Sequence, residues 1–335
     1  MHARFLPAAM VAATALSTAL PLAAQAPAPA APQVTITGLA YTQWQYNDFP
    51  TAGVRNNSFD VKRAYVNVIG RFAGGVYTRI TADIFTNADS SRAYRIKYAY
   101  FGYTPTGSPL TFKLGEIHTA WLDWEETLWE YRMQGTMPLE RNGYVTSSDL
   151  GGGIDYKLGP DRVNGQFTIV NGEGYSKGTG DFRKDAELRL SARVMDTDDS
   201  SRVGGLRVTG FAHIGKYTGG GDRNRYLGMV SYRSRQITLA GEFASTKDAL
   251  AGITGRVLSG FGVYKVPQSK VAVIGRLDIW DPNTSVTNDK QTRIIGGVSY
   301  QVSPNLRLLA DLDRVSFQAG TTAHTQGFVQ AQFTF

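Results

Sequence analysis

Polar and apolar residues alternate along most of this chain, up to its last residue. In the final stretch "FVQAQFTF" (328–335), Val329, Ala331, Phe333 and Phe335 fall on one side and polar residues on the other. An alternation with a period of two predicts a strand with two unlike faces. The chain thus keeps its last aromatic residue on the apolar side of a strand, whereas most C-termini end in polar, mobile residues.

The same pattern predicts strands along the whole chain, separated by turn and loop signals. The predicted strands are 34–48, 58–72, 76–86, 92–104, 110–121, 150–159, 163–173, 185–195, 206–217, 223–235, 237–248, 255–266, 270–281, 290–302, 306–317 and 327–335. Almost all reach the roughly 9–11 residues that a tilted strand needs to cross a bilayer. Short turns alternate with long polar loops, which is typical of an outer-membrane barrel. The segment 196–205, "DTDDSSRVGG", is too long for the short-turn side, and we interpret it as a solvated turn.

The two faces of the strands differ in the way a membrane requires. Within "KVAVIGRLDIW" (270–280), Val273 and Leu277 lie on one face, and Arg276 and Asp278 on the other. Aromatic residues recur where strands approach the short turns, and they predict an interfacial girdle: Phe72, Tyr103, Tyr156, Tyr232, Tyr264, Tyr300 and Phe335. No water satisfies a strand edge in hydrocarbon, so the last strand must pair with the first. We predict an all-β fold, a closed antiparallel transmembrane β-barrel of about 16 strands.

The front of the chain predicts export. Residues 1–26 combine a short basic start, an apolar Ala-rich run and small residues before a cleavage point, so we interpret them as a signal peptide. Residues 27–33 predict a Pro/Ala linker, and residues 34–335 the outer-membrane barrel. The chain has no cysteine, so a closed hydrogen-bonded sheet must hold it together without disulfides. Its charges are interleaved rather than massed in patches, so we expect no nucleic-acid partner.

Three stretches of the sequence resemble a known family. "FDVKRAYVNVIGRFAGGVYTRITADIF" (59–85), "LTFKLGEIHTAWLDWEE" (110–126) and "TIVNGEGYS" (168–176), with the terminal Phe335, are similar to the phosphate-selective porin O and P family. The resemblance implies sixteen strands, a homotrimer and a third loop that folds inward as a constriction. It also implies that Phe335 is a signal to the barrel-assembly machinery.

The face opposite the apolar stripe supplies the candidate pore lining. On it, basic residues outnumber acids by about two to one, and rings of Arg and Lys favour anions. Structural cross-strand pairing is the alternative for any single residue. The pore-lining candidates are Arg63, Arg79, Arg95, Lys97, Lys113, Arg189, Arg207, Arg276 and Arg293.

The longest loop, 121–149, predicts a short amphipathic helix at the constriction. Trp121, Trp124, Leu128 and Tyr131 share one helical face, and acids cluster opposite them. We expect the aromatic face to press on the barrel wall and the acids to face the pore, although a surface helix outside the lumen is the alternative. The constriction-loop candidates are Asp123, Glu126, Glu130 and Arg132.

These features predict a porin in the bacterial outer membrane that passes small hydrophilic solutes by diffusion, in a general or weakly anion-selective way. The alternative is a substrate-specific phosphate or oligoanion channel, which the acids of the loop disfavour. We expect no cofactor, no metal and no enzyme activity, because His118, His213 and His324 have no convincing serine partner. A plugged structural barrel or adhesin is a third class, which conductance would separate. The expected partners are outer-membrane lipid, solutes or anions, and two further copies of the chain.

Overall fold

The computed structural model describes residues 31–48, 57–87, 91–177, 181–248, 252–320 and 322–335. The predicted signal peptide, 1–26, and most of the predicted linker lie outside these residues. Among the described residues, no α-helix is both long and apolar enough to cross a membrane.

The described chain folds into strands that follow the predicted alternation closely. The strands are β1 Gln33–Asn47, β2 Asn57–Arg71, β3 Val76–Thr86, β4 Arg92–Tyr103, β5 Leu110–His118, β6 Ser148–Leu158, β7 Val163–Val170, β8 Asp185–Met195, β9 Gly205–Ile214, β10 Arg223–Arg233, β11 Ile237–Asp248, β12 Ile253–Lys265, β13 Val271–Asp281, β14 Gln291–Ser303, β15 Leu306–Phe317 and β16 His324–Thr334. Two short helices, α1 Leu122–Trp129 and α2 Pro138–Arg141, lie between β5 and β6. A 3₁₀ turn, Ala73–Gly75, joins β2 to β3.

Each strand pairs antiparallel with its sequence neighbour, and the sheet closes on itself. β1 pairs with β16 from Leu39 opposite Thr334 to Asn47 opposite Gln326. Beyond this register, Gly38 N donates to Phe335 O at 2.9 Å, and Phe335 N donates to Gly38 O at 3.1 Å. The prediction of a closed sixteen-stranded barrel is confirmed.

The outer face of the barrel is apolar, because alternate residues of each strand point away from the interior. On β13, Val273 and Leu277 are exposed while Arg276 between them is buried inside. Five of the predicted girdle aromatics are exposed on the outer face: Phe72, Tyr103, Tyr264, Tyr300 and Phe335. This is the surface that contacts the hydrocarbon of a bilayer.

Two local departures from simple alternation bear on the interior of the barrel. β5 ends at His118 rather than at the predicted residue 121, since the chain leaves the wall where Thr119 N donates to Ser147 O. A register shift between β3 and β4 leaves an extra residue in β4, so Lys97 and Tyr98 are adjacent and both buried. A bulge of this kind re-aims side chains within a sheet.

The interior of the barrel is not polar throughout, although the alternation predicts a polar inward face on the strands. Strands β9 to β15 direct apolar side chains inward, and these are buried in one cluster with the segment between β5 and β6. The inward members of the cluster are Phe211, Leu227, Met229, Ala240, Ala244, Val257, Phe261, Val263, Ala272, Ile274 and Leu309. These apolar side chains are shielded from water inside the barrel because the segment between β5 and β6 packs over them.

Candidate functional site

The segment 119–147, which we call the interior loop, packs against inward-facing side chains of the barrel wall. The Trp121 ring lies 5.4 Å from that of Phe211 on β9. The Tyr131 hydroxyl lies 2.7 Å from Ser299 Oγ on β14, and Arg276 on β13 donates to Thr136 O at 3.1 Å. The loop is therefore fixed to the β9–β14 side of the barrel.

The predicted aromatic face of the loop is the face that the protein buries. Trp121, Trp124, Leu128 and Tyr131 are all at most 2% exposed. Trp129, which was not assigned to that face, is also fully buried. The helical spacing thus identified four of the anchors, and the tertiary contacts add another.

A carboxyl pair lies within this packing. Glu125 of α1 and Glu242 of β11 are in contact and are both almost completely buried. The indole Nε1 of Trp121 donates a hydrogen bond to Glu125 Oε2 at 2.9 Å. Burial raises the pKa of Glu125 well above its usual range, and the neighbouring Glu242 raises it further. Burial and the neighbouring carboxyl thus both favour the protonated form of Glu125.

Two of the predicted constriction acids anchor the loop toward the short-turn end. Arg202 Nη2 lies 2.7 Å from Asp123 Oδ2, and Glu130 pairs with Arg233 at 2.6 Å and Lys265 at 2.8 Å. Burial alone would raise the pKa of Asp123, but the Arg202 guanidinium outweighs it and holds that pKa below its usual range. Cations at the short-turn end pair with both acids, and Asp123 Oδ1 also lies 4.0 Å from His118 Nε2, so the position of these acids at the constriction stays a prediction.

Arg202 belongs to the long turn 196–205. The alternation of polar and apolar residues does not show what this turn contacts. Val203 of this turn is fully buried in the apolar cluster, and Asp199 pairs with Arg233 at 2.6 Å. Rather than being a solvated turn, the segment folds back against the interior loop. Its excess length over a tight turn was the sequence signal of this role.

Two further acids of the loop, Glu126 and Glu140, also share an electrostatic environment with the opposing wall. Arg132 lies between them, at 2.5 Å from Glu126 and 2.9 Å from Glu140. Burial opposes the charge of Arg132, but the two carboxylates outweigh it and raise its pKa above the usual range. This triad interacts electrostatically with Lys97 on β4.

The opposing wall is basic and lined with partners that orient its cations. On β3, an Arg79 guanidinium nitrogen lies 3.1 Å from His118 Nε2. On β4, Arg95 donates to the Tyr175 hydroxyl at 2.9 Å and lies 3.7 Å from Asp83. The Tyr175 hydroxyl holds Arg95 in place without cancelling its charge, while the Asp83 carboxylate offsets part of it.

Three further predicted residues lie on the same side of the barrel. The Lys97 ammonium donates to the Tyr65 hydroxyl at 2.6 Å, and the Arg63 guanidinium lies 5.1 Å from the centre of the Tyr65 ring. Lys113 instead pairs with Asp155 at 2.5 Å, so its charge is locally neutralised. Arg63, Arg79, Arg95 and Lys97 thus form a basic group, which we call the basic wall.

Arg189, Arg207 and Arg276 point inward as predicted but are at most 3% exposed, and Lys97 is 2% exposed, so the prediction that these four residues line the pore is corrected. Arg189 donates to Ala120 O at 3.0 Å beneath the interior loop, and Arg276 pairs with Asp278 at 2.7 Å. The interior loop buries these arginines. The alternation along a strand shows only that a side chain points inward, not that a distant segment packs over it.

A cavity of about 540 Å³ lies beside the interior loop. It is lined by polar residues of β1, β2 and β16, including Gln43, Gln45 and Gln326, and by loop residues such as Arg141. Arg293 lines it too and pairs with Asp313 at 2.6 Å. Burial lowers the pKa of Arg141 to about 9, and nearby guanidiniums lower it as well. Within the described ranges, no group of three or more His, Asp or Glu side chains is placed to hold a metal ion.

A barrel closed by β1 and β16, with an internal loop after β5, can be compared with known proteins. A family model of Gram-negative porins matches residues 8–320. The chain belongs to the Gram-negative porin family. Members are outer-membrane channel proteins rather than enzymes, and the barrel described above suits that role.

Solved structures show the same fold as this porin. A triple variant of the Rhodopseudomonas blastica porin superposes with a TM-score of 0.61 at 14% identity, covering 90% of this chain and 100% of that one. A second triple variant of that porin gives 0.60 at 13% identity with the same coverage. A further structure, from work on the asymmetric conductivity of engineered proteins, superposes with a TM-score of 0.60 at 14% identity. A comparison with curated protein sequences gave no significant match.

Proposed function

We propose that this porin passes small hydrophilic solutes by passive diffusion with a weak preference for anions. The path runs between the interior loop and the inward faces of β1 to β4 and β16. The observation that carries the proposal is the uneven interior: the loop packs on the apolar side, around β9 to β15, and leaves the polar side beside it.

The charges along this path support the anion preference. Arg63, Arg79 and Arg95 stand on the wall beside the buried Lys97, and Arg132 offsets part of the charge of Glu126 and Glu140 on the loop. Across a narrow path, charges within the Debye length of about 8 Å act on a passing ion. The surplus of cations favours anions, while the loop acids keep the preference weak.

The narrower identity, a phosphate-selective porin with a substrate-specific site, is the competing proposal. The basic wall supports it, whereas the Glu126–Arg132–Glu140 triad opposes it, because a trap for a multivalent anion needs cations on both sides. We also propose a homotrimer and an assembly signal at Phe335. These two proposals rest on the resemblance of the sequence, together with the exposure of the Phe335 ring at the barrel rim.

A planar-bilayer recording under a KCl gradient tests the proposed selectivity. We expect a reversal potential with the sign of modest anion preference, and little block when phosphate is added. Cation preference would contradict the proposal. Strong, saturable block by phosphate would replace it with the phosphate-specific channel.

A further inference from the structure

A row of lysines follows the long-loop end of the barrel on its outer face. Lys184 precedes β8, Lys216 follows β9, and Lys247 lies near the end of β11. All three are exposed, as expected for side chains that alternate with the inward positions of these strands. Asp222, just before β10, bridges two of them, at 3.0 Å from Lys216 and 2.9 Å from Lys247. We call these residues the basic rim.

The ion pairs in the basic rim are weak enough to leave its cations available to another anion. The side chains of Lys216, Lys247 and Asp222 are 59%, 48% and 32% exposed. Exposed pairs of this kind contribute little, so a stronger anionic partner can replace the carboxylate. Arg183 adds a further cation beside Lys184, paired with Asp181 at 2.9 Å. The rim therefore has more cations than anions, and these cations can form charge-assisted hydrogen bonds with a phosphate.

Apolar side chains adjoin these cations directly. Phe182 and Ile214 are 86% and 54% exposed. Together with Arg183, Lys184 and Lys216 they line a pocket of about 340 Å³. A pocket with cations on one side and apolar surface on the other matches the boundary between a phosphate headgroup and its acyl chains.

An apolar groove of about 470 Å³ runs down the outer face of the same strands, directly below the rim. Its floor is formed by small residues, Gly210, Ala212 and Gly228, and its walls by larger ones. The wall residues are Leu188, Leu190, Tyr226 and Phe243. A Cβ built on Gly210 or Gly228 would have no atom within 4 Å, so the floor is open to the outside.

The strand register joins the rim and the groove into one continuous surface. Leu190 pairs with Gly210, Gly210 with Gly228 and Gly228 with Phe243, which makes one row across β8 to β11. The next row toward the rim is Leu188, Ala212, Tyr226 and Ser245, and Asn224 above it pairs with Lys247. Two small residues thus lie between large ones in a row that leads up to the lysines.

We propose that the outer face of β8 to β11 binds a phosphorylated lipid, with its phosphate on the basic rim and an acyl chain in the groove. The combination of cations and apolar groove favours a phosphorylated lipid over other ligands. A free phosphate would leave the groove unfilled, and a second copy of this chain would bring its own cations against the lysines. The site lies outside the barrel, so it does not depend on the proposed selectivity of the path.

Retention of lipid A by the purified full-length protein tests the proposal, with native mass spectrometry as the readout. We expect the wild type to retain lipid A that carries phosphates in preference to dephosphorylated lipid A. The variant with Lys184→Gln, Lys216→Gln and Lys247→Gln should lose retention by about tenfold or more. The control Lys270→Gln, which removes an exposed lysine at the short-turn end, should retain lipid like the wild type.

A second pair of variants tests the groove without touching charge. Gly228→Leu fills the floor and should reduce retention, while Gly275→Leu serves as the control on the outer face of β13. A Cβ at either position meets nothing within 4 Å, so both variants should fold alike. Unchanged bilayer conductance in each variant confirms that the barrel is intact.

Several outcomes would overturn the proposal. Equal retention of phosphorylated and dephosphorylated lipid would remove the role of the rim. Full displacement of lipid A by millimolar inorganic phosphate would reduce the site to a phosphate site. An oligomer that the Gly228→Leu variant disrupts, with no lipid retained by the wild type, would assign the groove to a second copy of the chain.

Discussion

The ring of Trp129 meets the ring of Phe261 edge to face, with centroids 5.3 Å apart and planes at 71°. Trp129 belongs to the interior loop and Phe261 to the inward face of β12, and both are at most 5% exposed. Aromatic pairs prefer this geometry, and each ring buries a large apolar area. The loop is therefore held by a packed core, in addition to the ion pairs at its short-turn end.

Truncating Trp129 should loosen the interior loop. Trp129→Ala leaves a cavity against β12, and replacing a buried Trp by Ala costs about 3–5 kcal/mol. Because that cost falls on the attachment of the loop, we expect noisier single-channel currents and frequent transitions between conductance levels. Trp44→Ala, a tryptophan on β1 away from the loop, is the control. Currents as quiet as those of the wild type would show that the loop does not depend on this contact.

Raising the pH should weaken the attachment of the loop through Glu125. The folded-state pKa of Glu125 is raised by burial and by Glu242, while Arg276 opposes the shift and Asp278 adds to it. A raised pKa means that the stabilisation is complete below the ordinary Glu pKa of about 4.3 and is lost as the pH rises toward the folded-state value. Tryptophan emission should therefore shift to the red as the pH rises above the ordinary Glu range of about 4.3 and buried indoles reach water.

The matched variant for this pH effect is Glu242→Gln. It keeps a hydrogen-bonding group beside Glu125 but removes the carboxyl that raises the Glu125 pKa, so the red shift should be smaller and should be complete at lower pH. The same shift in wild type and variant would exclude the carboxyl pair as its source.

Neutralising the basic wall should move selectivity toward cations. Arg63→Gln with Arg95→Gln removes two charges while keeping polar side chains in place. We expect the anion-to-cation permeability ratio to fall on the order of twofold, since charges beside water are screened over about 8 Å. Lys270→Gln, outside the barrel, should leave the reversal potential unchanged. An unaltered ratio in the double variant would remove both residues from the path.

Closing the barrel should depend on the small size of Gly38. A Cβ at Gly38 would fall 2.0 Å from the ring of Phe335, so Gly38→Leu must push that ring aside. We expect less folded barrel in the outer membrane, measured as the fraction that resists protease. Gly296→Leu on β14, where a Cβ meets nothing within 4 Å, is the control. Equal amounts of folded protein would show that the position of the Phe335 ring is not required.

The strands and their two faces could be predicted because both follow from a local rule. A residue such as Leu277 or Arg276 reveals its direction through its immediate neighbours, and a barrel in hydrocarbon leaves no alternative to closure. The same rule placed Lys97 correctly on the inward face but failed at Tyr98, because a bulge inserts one residue and shifts the alternation. A bulge has no reliable sequence pattern, because the partner strand decides it.

The interior arrangement could be predicted only in part, because it depends on contacts distant in sequence. Helical spacing identified the buried face of the loop from Trp121 to Tyr131. The sequence pattern does not show which wall that face contacts, and it therefore predicts Arg189 and Arg276 as pore lining although the loop covers them. The partner of Asp123 was missed for the same reason, since Arg202 is far away in the chain and only the length of its turn is unusual.

The central claim is that a water-filled path remains beside the interior loop. The single-channel conductance of the purified wild-type protein in a planar bilayer tests this claim most directly. A water-filled path predicts discrete, stable current steps whose size rises in proportion to the KCl concentration. Correctly inserted barrels that pass no current at any salt concentration would contradict it, because the loop and the basic wall would then seal the interior.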